Sequence, residues 1–182
     1  MNIYKILTKW MGWTPDSGAA PERVCVILGV PHTSILDFFI AYLYYRGTGH
    51  IAHIMVKKEF FFWPIKGILR KLGCIPVDRS NGAAVIRSVI AEAEKTEGEF
   101  HICIAPEGTR KPVKKWKMGY HAIAKALDCP VYLGYFDWGT KHVSIGEKFP
   151  LTDDARADTD AIQKKYEEMG LVGRHPENYR TH

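Results

Sequence analysis

The stretch Val24-Cys-Val-Ile-Leu-Gly-Val30 decides the fold class. It is apolar throughout, so the strand that it predicts must be buried on both faces. Strands of this kind are typical of parallel sheets that carry helices on each side. The run therefore predicts a strand in the interior of such a sheet.

The same pattern recurs along the rest of the chain. Short apolar runs occupy three further segments, Ile51–Val56, Phe100–Ala105 and Val131–Phe136. Apolar residues at helical spacing lie between these runs, over Ser34–Arg46, Phe60–Lys71, Ala83–Lys95 and Gly119–Leu127. The alternation predicts an α/β fold with a mostly parallel mixed sheet flanked by helices.

The last third of the chain adds segments outside this alternation. His142–Ile145 is expected to form an antiparallel edge strand, and Asp153–Met169 a polar surface helix. Residues 170–182 are expected to form a coil that straps the surface. A length of 182 residues falls within the ~100–200 residues usual for one domain, so we predict a single domain over residues 1–182.

Composition and charge narrow the class of protein. A hydrophobic share of 46% argues against a disordered chain. The formal net charge of +5 favours an anionic partner, such as nucleic acid, a membrane surface or a phosphorylated substrate. No apolar stretch approaches the ~20 residues of a membrane-spanning helix, and no secretory signal pattern is visible. These features predict an intracellular protein.

The cysteines and histidines do not predict a metal site. The four cysteines are irregularly spaced without a Cys-x-x-Cys pair, which favours buried thiols over zinc ligands or disulfides. His50 and His53 form a His-x2-His pair, but spacing supplies no third ligand. We therefore predict no metal.

The first thirteen residues predict a short amphipathic helix. Apolar side chains recur at helical spacing, and they are Ile3, Ile6, Leu7, Trp10 and Met11. Lys5 and Lys9 lie off this stripe. Such a stripe suits the interface of a membrane and packing on the domain core equally well.

The segment His32-Thr-Ser-Ile-Leu-Asp37 directly follows the first apolar strand. Sites in open α/β sheets gather beyond the carboxyl ends of strands. A neutral His32 can accept a proton from a hydroxyl, and Asp37 can fix its tautomer. Alternatively, Ser34 and Asp37 form a capping box that only starts the next helix.

A second polar segment, Pro106-Glu-Gly-Thr-Arg110, follows the run Phe100–Ala105. Backbone N–H groups in its Gly turn, the Thr109 hydroxyl and the Arg110 guanidinium suit a phosphate, although an ordinary turn is the alternative. A third segment ends a short predicted strand with Asp78 and Arg79. Arg79 would either join Arg110 on a phosphate or pair with Asp78 or Glu107.

The order of these segments resembles the glycerolipid acyltransferase family, which includes the bacterial 1-acylglycerol-3-phosphate acyltransferases. Four blocks over residues 24–136 carry the likeness: His32–Asp37, Gly73–Arg79, Pro106–Arg110 with its extension Trp116–Gly119, and Cys129–Val131. Pro31 and Ala105 stand where the family commonly has Asn and Phe. The chain therefore resembles a small, divergent member of bacterial type.

The resemblance implies direct transfer of a fatty acyl group from acyl-CoA or acyl-carrier protein to a lysophospholipid hydroxyl, in phospholipid biosynthesis. His32 would be the general base and Asp37 its support, and no cofactor would be needed. The resemblance also implies an acceptor site, formed by Arg79, Glu107, Gly108, Thr109, Arg110 and Lys117. The acceptor expected is 1-acylglycerol-3-phosphate, and a non-phosphate lipid is the alternative.

Because such substrates reside in membranes, the resemblance also implies a peripheral location on the inner face of the cell membrane. The cluster Phe60–Trp63 and its basic neighbours suit docking on an anionic leaflet, an acyl-chain groove, or ordinary core packing. Two other classes remain open: a non-catalytic membrane or lipid-binding module, and a binder of single-stranded nucleic acid. The nucleic-acid class leaves the four ordered blocks unexplained, so we expect no nucleic acid partner.

Overall fold

The computed structural model describes residues 2–78 and 80–179. Its helices are α1 (Ile3–Trp10), α2 (Leu36–Gly47), α3 (Ile65–Lys71), α4 (Gly82–Lys95), α5 (Gly119–Ala126) and α6 (Ala155–Glu168), with 3₁₀ turns at Lys58–Phe60 and Pro176–Asn178. Its strands are β1 (Thr14–Pro15), β2 (Val24–Leu28), β3 (Ala52–Lys57), β4 (Cys74–Val77), β5 (Phe100–Ile104), β6 (Val131–Tyr132), β7 (Tyr135–Asp137), β8 (His142–Ser144) and β9 (Lys148–Phe149).

Six strands form the large sheet, in the order β4-β3-β5-β2-β6-β9. All neighbours in it are parallel except β9, which runs antiparallel to β6. The α/β fold with a mostly parallel mixed sheet is therefore confirmed. The carboxyl ends of the parallel strands meet at one edge of this sheet, and that edge carries the predicted site.

Burial on both faces, predicted for each apolar run, holds for β2 and β5, whereas β3 is only half-buried after Ala52. Alternate residues of β2 enter two separate cores: Val26 and Leu28 pack beneath α4, α5 and α6, whereas Cys25 and Ile27 pack beneath α2. Alternation along a strand places successive side chains on opposite faces, so one apolar run fills both cores.

The predicted strand Val131–Phe136 is wrong as one element, because it is split between β6 and β7. Gly134 lies at the break, where a Cβ atom would approach the Leu28 carbonyl oxygen to 2.4 Å. The chain leaves the large sheet there and enters a second sheet of order β1-β8-β7. The predicted edge strand at His142–Ile145 corresponds to β8, which is antiparallel to β7 but lies in the middle of this small sheet.

The helix predicted as a polar surface element corresponds to α6, yet one side of it is deeply buried. Ile162 and Tyr166 are fully inaccessible to solvent, and the Tyr166 hydroxyl donates to the Gly134 carbonyl at 2.8 Å. Its polar sequence therefore conceals a packing face. The following segment, residues 170–179, crosses the surface towards the loop after β2, since the backbone N–H of His175 donates to Thr33 Oγ1 at 3.2 Å.

Candidate active site

The loops after β2 and β5 lie side by side, because these two strands are neighbours in the sheet. Leu28 and Ile104, the last residues of the two strands, are paired, and the Gly29 N–H donates to the Ile104 carbonyl at 3.0 Å. The His32–Asp37 segment and the Pro106–Arg110 turn therefore meet at the carboxyl end of the sheet. The pairing of β2 with β5 thus brings together two blocks that lie at least 69 residues apart in the sequence.

His32 and Asp37 form a pair in this position. His32 Nδ1 lies 3.3 Å from Asp37 Oδ2, and the carboxylate is 1% exposed whereas the imidazole is 28% exposed. The same Oδ2 accepts hydrogen bonds of 2.7 Å from the N–H groups of Thr33 and Ser34. Asp37 thus accepts hydrogen bonds from the turn before α2 and also faces the imidazole. The two interpretations of this segment, the start of a helix and a His–Asp pair, are therefore compatible. Nε2 is the ring nitrogen left for a ligand.

Glu107 turns inward beneath the same loop. Its Oε1 accepts a hydrogen bond of 2.8 Å from the His32 backbone N–H, whereas Oε2 is buried without a hydrogen-bond partner among the described residues. Burial raises the pKa of the Glu107 carboxyl to about 7, although the bond from His32 opposes the rise. The carboxyl therefore supports the backbone of His32, and its predicted contact with the acceptor stays a prediction.

The Gly108 turn places two cationic side chains beside the pair. Gly108 has a φ of +67°, and a Cβ atom there would lie 2.7 Å from the aliphatic carbons of Lys117. This backbone conformation favours glycine, and any side chain at this position would displace the end of Lys117. The backbone of Lys117 is fixed beside this turn, since its N–H donates to the Pro106 carbonyl at 2.8 Å. Arg110 is exposed next to it.

A cavity of about 490 Å³ opens at this edge of the sheet. Its polar wall comprises His32, Asp37, Thr109, Arg110 and Lys117. Its remaining wall is largely apolar and includes Phe38, Ile54, Val85, Ile86 and Ile123. An imidazole, two cationic side chains and an apolar recess therefore face one space, which suits an amphiphilic ligand with an anionic head.

A model of the Acyltransferase family matches residues 18–133, which is more than half of the chain. The chain belongs to the glycerolipid acyltransferase family. Acyltransferases of this family transfer an acyl group to a lipid hydroxyl, so the protein is an O-acyltransferase. No curated protein and no solved structure matches the chain significantly.

The Gly73–Arg79 block of the acyltransferase ends just after β4. Arg79, the further phosphate ligand implied by the resemblance, lies outside the described residues. Its neighbour Asp78 is engaged by Lys58, whose Nζ lies 2.6 Å from Asp78 Oδ2, and by the hydroxyl of Ser80. The bond from Lys58 holds the pKa of the Asp78 carboxyl below its usual range.

The two histidines of the His-x2-His pair do not act together. His53 stacks on Phe100, with ring centroids 4.5 Å apart, and His50 pairs with Glu99 at 2.5 Å. Potential ligand atoms of His50, Glu99 and His101 do lie within 4.8 Å of one another, at the amino end of the sheet. His101 is already engaged there, since Nδ1 bonds to the Tyr45 hydroxyl and Nε2 to the Glu22 carbonyl, each at 2.7 Å.

The acyltransferase exposes a large amount of apolar surface. The stripe of α1 points to solvent, with Ile3 62% and Trp10 82% exposed, while Thr8 on the other side is buried. Core packing of the stripe, one of the two alternatives, is therefore wrong. Phe60, Phe62 and Trp63 are likewise exposed, so core packing is wrong for these three as well. Within residues 2–78 and 80–179, no helix has both the length and the apolar character needed to span a bilayer.

Two contributors to the site were missed by sequence reasoning. Trp138 donates from Nε1 to Asp37 Oδ1 at 2.8 Å, across 101 residues of sequence. Residues 172–175 approach the same loop through Thr33. Neither contact leaves a local signal in the sequence, because both depend on how the second sheet folds back onto α2.

Proposed function

We propose that the enzyme transfers a fatty acyl group from acyl-CoA or acyl-carrier protein to the hydroxyl of 1-acylglycerol-3-phosphate, in phospholipid biosynthesis. The carrying observation is the position of His32, which backs onto the buried Asp37 carboxylate and lines a cavity shared with two cations. That arrangement supplies a base, an anion site and an apolar recess within one space.

The chemistry begins with removal of the acceptor proton. Nε2 of His32 takes the hydroxyl proton as the oxygen attacks the thioester carbonyl carbon, forming a C–O bond and a tetrahedral oxyanion. Asp37 favours the imidazolium that results, because its carboxylate lies at Nδ1. The oxyanion then collapses, the C–S bond breaks, and the leaving sulfur takes the proton from His32. The products are an ester and a free thiol, so the balance needs no cofactor.

Direct transfer agrees with the state of the cysteine in the cavity wall. Burial raises the pKa of the Cys103 thiol to about 12, so this sulfur stays protonated near neutral pH. A protonated thiol is a poor nucleophile, and an acyl-enzyme on Cys103 is disfavoured. The acceptor hydroxyl is then the group that attacks the thioester.

The acceptor headgroup is assigned to the cationic side of the cavity. Arg110 and Lys117 carry the charge, and Thr109, which follows Gly108, lines the same space. A guanidinium binds phosphate oxygens bidentately, and an ammonium adds a mobile donor. Arg79 is proposed as a further ligand of the phosphate. The acyl chain is assigned to the apolar wall formed by residues of β3, α4 and α5.

A membrane surface is the proposed source of both lipids. Exposed apolar side chains on α1 are connected to the cavity by a series of ring contacts, since Tyr4 packs on Tyr42 and Tyr42 stacks on Phe38, which lines the cavity. Lys5 and Lys9 are exposed on α1 and suit anionic headgroups. We therefore propose peripheral association with the cytoplasmic face of the cell membrane.

Thiol release tests the proposal directly. Purified protein is mixed with long-chain acyl-CoA or acyl-carrier protein, with and without 1-acylglycerol-3-phosphate, and free thiol is measured. We expect acceptor-dependent release that His32→Ala abolishes. His50→Ala is the matched control, because His50 is also a partly exposed histidine beside a carboxylate but lies at the amino end of the sheet.

Other outcomes identify other functions. Release that requires a lyso-lipid without phosphate would replace the acceptor and leave the transfer chemistry in place. Absence of release from either donor, across a panel of phosphorylated and amino lipids, would contradict catalysis. Vesicle binding by such an inactive protein would then favour a non-catalytic lipid-binding module.

A further inference from the structure

One oxygen of the Asp37 carboxylate, Oδ1, accepts a hydrogen bond from Trp138, a residue outside the four sequence blocks. Oδ2 takes the two backbone N–H groups and faces His32, whereas Oδ1 accepts from the indole Nε1–H of Trp138 at 2.8 Å. Asp37 is 1% exposed, so water cannot easily replace this donor. The indole therefore fixes the rotation of the carboxylate that presents Oδ2 to the imidazole.

The indole itself is held on several sides. Lys141 Nζ lies 4.3 Å and Arg174 Cζ 4.7 Å from its ring centroid, and Trp13 packs edge-on at 5.0 Å. Cations over an indole ring are attracted by its electron-rich face. Trp13 and Arg174 come from distant parts of the chain, so the ring is positioned largely by tertiary structure.

The segment that carries Arg174 also contacts the loop of the pair. The backbone N–H of Trp138 donates to the Val172 carbonyl at 2.8 Å, and the backbone N–H of His175 donates to Thr33 Oγ1. Gly173 lies so close to Thr33 that a Cβ atom would come within 2.7 Å of its methyl carbon. Residues 172–175 thus contact both Trp138 and the loop that carries His32.

We propose that Trp138 is a positioning residue for acyl transfer, acting on His32 through Asp37. The inference rests on the proposed function, because its consequence is a rate. It predicts that loss of the indole N–H lowers turnover while substrate binding is kept. A residue that only fills space would affect stability and leave turnover of the folded enzyme unchanged.

Trp138→Phe removes the N–H and retains an aromatic ring. We expect kcat to fall about tenfold, since a hydrogen bond to a charged group is lost, with KM for both substrates within about twofold. Trp13→Phe is the matched control, because Trp13 packs edge-on against the Trp138 ring, yet its Nε1 has no hydrogen-bond partner among the described residues. We expect kcat of Trp13→Phe to stay within about twofold of wild type.

An NMR measurement tests the bond without relying on activity. The chain has five tryptophans, so each indole N–H resonance can be assigned by substitution. We expect Asp37→Asn to shift the Trp138 resonance and leave that of Trp63 in place. The inference is overturned by an unshifted Trp138 resonance, by wild-type kcat in folded Trp138→Phe, or by an equal loss in Trp13→Phe. If Trp138→Phe does not fold, the NMR result decides.

Failure of the proposed function would look different. Wild-type protein would then show no acyl transfer with any donor, while the Trp138 resonance would still respond to Asp37→Asn. The two results separate an incorrect reaction from an incorrect role for the indole.

Discussion

The two ends of the large sheet each carry a histidine beside a carboxylate. The two pairs differ in burial, in hydrogen bonding and in access to the cavity. At the amino end, His50 Nδ1 lies 2.5 Å from Glu99, whose side chain is 51% exposed. At the carboxyl end, His32 Nδ1 lies 3.3 Å from an Asp37 that is 1% exposed and takes three further hydrogen bonds. Only the second pair lines the cavity.

The difference shows what a histidine–carboxylate contact needs before it can do chemistry. A short distance is not enough, because the exposed pair has the shorter contact and faces solvent. The orientation of the carboxylate, a ring nitrogen left open to a cavity and a site for the substrate charge are the features that distinguish His32. Each prediction below changes one of these features at the carboxyl end, with a matched change elsewhere.

The largest effect is expected from His32, the proposed general base. His32→Ala should lower acyl transfer by roughly 10²–10⁴-fold, the usual contribution of a general base, while His50→Ala stays near wild type. The measurement is acceptor-dependent thiol release at saturating substrates. Comparable losses in the two variants would remove the distinction between the two ends of the sheet.

Glu107 gives the next effect, on stability. The folded state raises the pKa of this carboxyl to about 7 from an unfolded value near 4.5. Its stabilising contribution is therefore complete below about pH 4.5 and is lost as pH rises through 7. Relative to Glu107→Gln, the wild type should lose about 3 kcal/mol of unfolding free energy across that window, since one pKa unit is about 1.4 kcal/mol.

Urea unfolding at pH 5 and pH 8 measures this difference. Glu97→Gln is the control before β5, because Glu97 is exposed, and its unfolding free energy should follow the wild-type pH dependence. Curves for wild type and Glu107→Gln that stay parallel would show that folding does not raise the pKa of the Glu107 carboxyl.

A smaller effect is expected at the two glycines that flank β5. Gly108→Ala should cost about 1–2 kcal/mol of stability, because φ is +67° and the new methyl group would displace Lys117. It should also raise KM for the phosphorylated acceptor. Gly98→Ala, where a Cβ would meet nothing within 4 Å, should change neither quantity. Equal KM values for the two variants would argue against an acceptor site at the Gly108 turn.

The smallest effect concerns which end meets the membrane. Trp63 follows the carboxyl end of β3 and is 90% exposed, whereas Ile3 lies at the start of α1, where Asn2 bonds to the last turn of α2. Trp63→Ser should weaken binding to anionic phospholipid vesicles about tenfold, and Ile3→Ser should weaken it less. Co-sedimentation with vesicles measures both affinities. A larger loss in Ile3→Ser than in Trp63→Ser would indicate that α1, and not the segment after β3, makes the main contact with the membrane.

Much of this carboxyl end could be predicted from the sequence. Apolar runs predict β2 and β5, and the rule that sites follow parallel strands places His32 and Thr109 at one edge. The alternation of side chains also predicts two cores. These inferences succeed because each depends on a periodicity within one segment.

The remaining features depend on contacts between distant segments, which periodicity does not encode. The break at Gly134 follows from a close approach to Leu28, and the buried face of α6 follows from its contact with that same turn. The inward turn of Glu107 and the indole bond of Trp138 likewise need the folded neighbours. A glycine within the apolar run Val131–Phe136 was the one local signal, and it indicates the break.

The hydrogen bond from His175 to Thr33 joins residues 142 positions apart. Because synthesis on the ribosome runs from the amino end, the strands β2 to β5 and the His32 segment emerge long before the residues that brace them. The site is completed only when residues 172–175 have left the ribosomal exit tunnel.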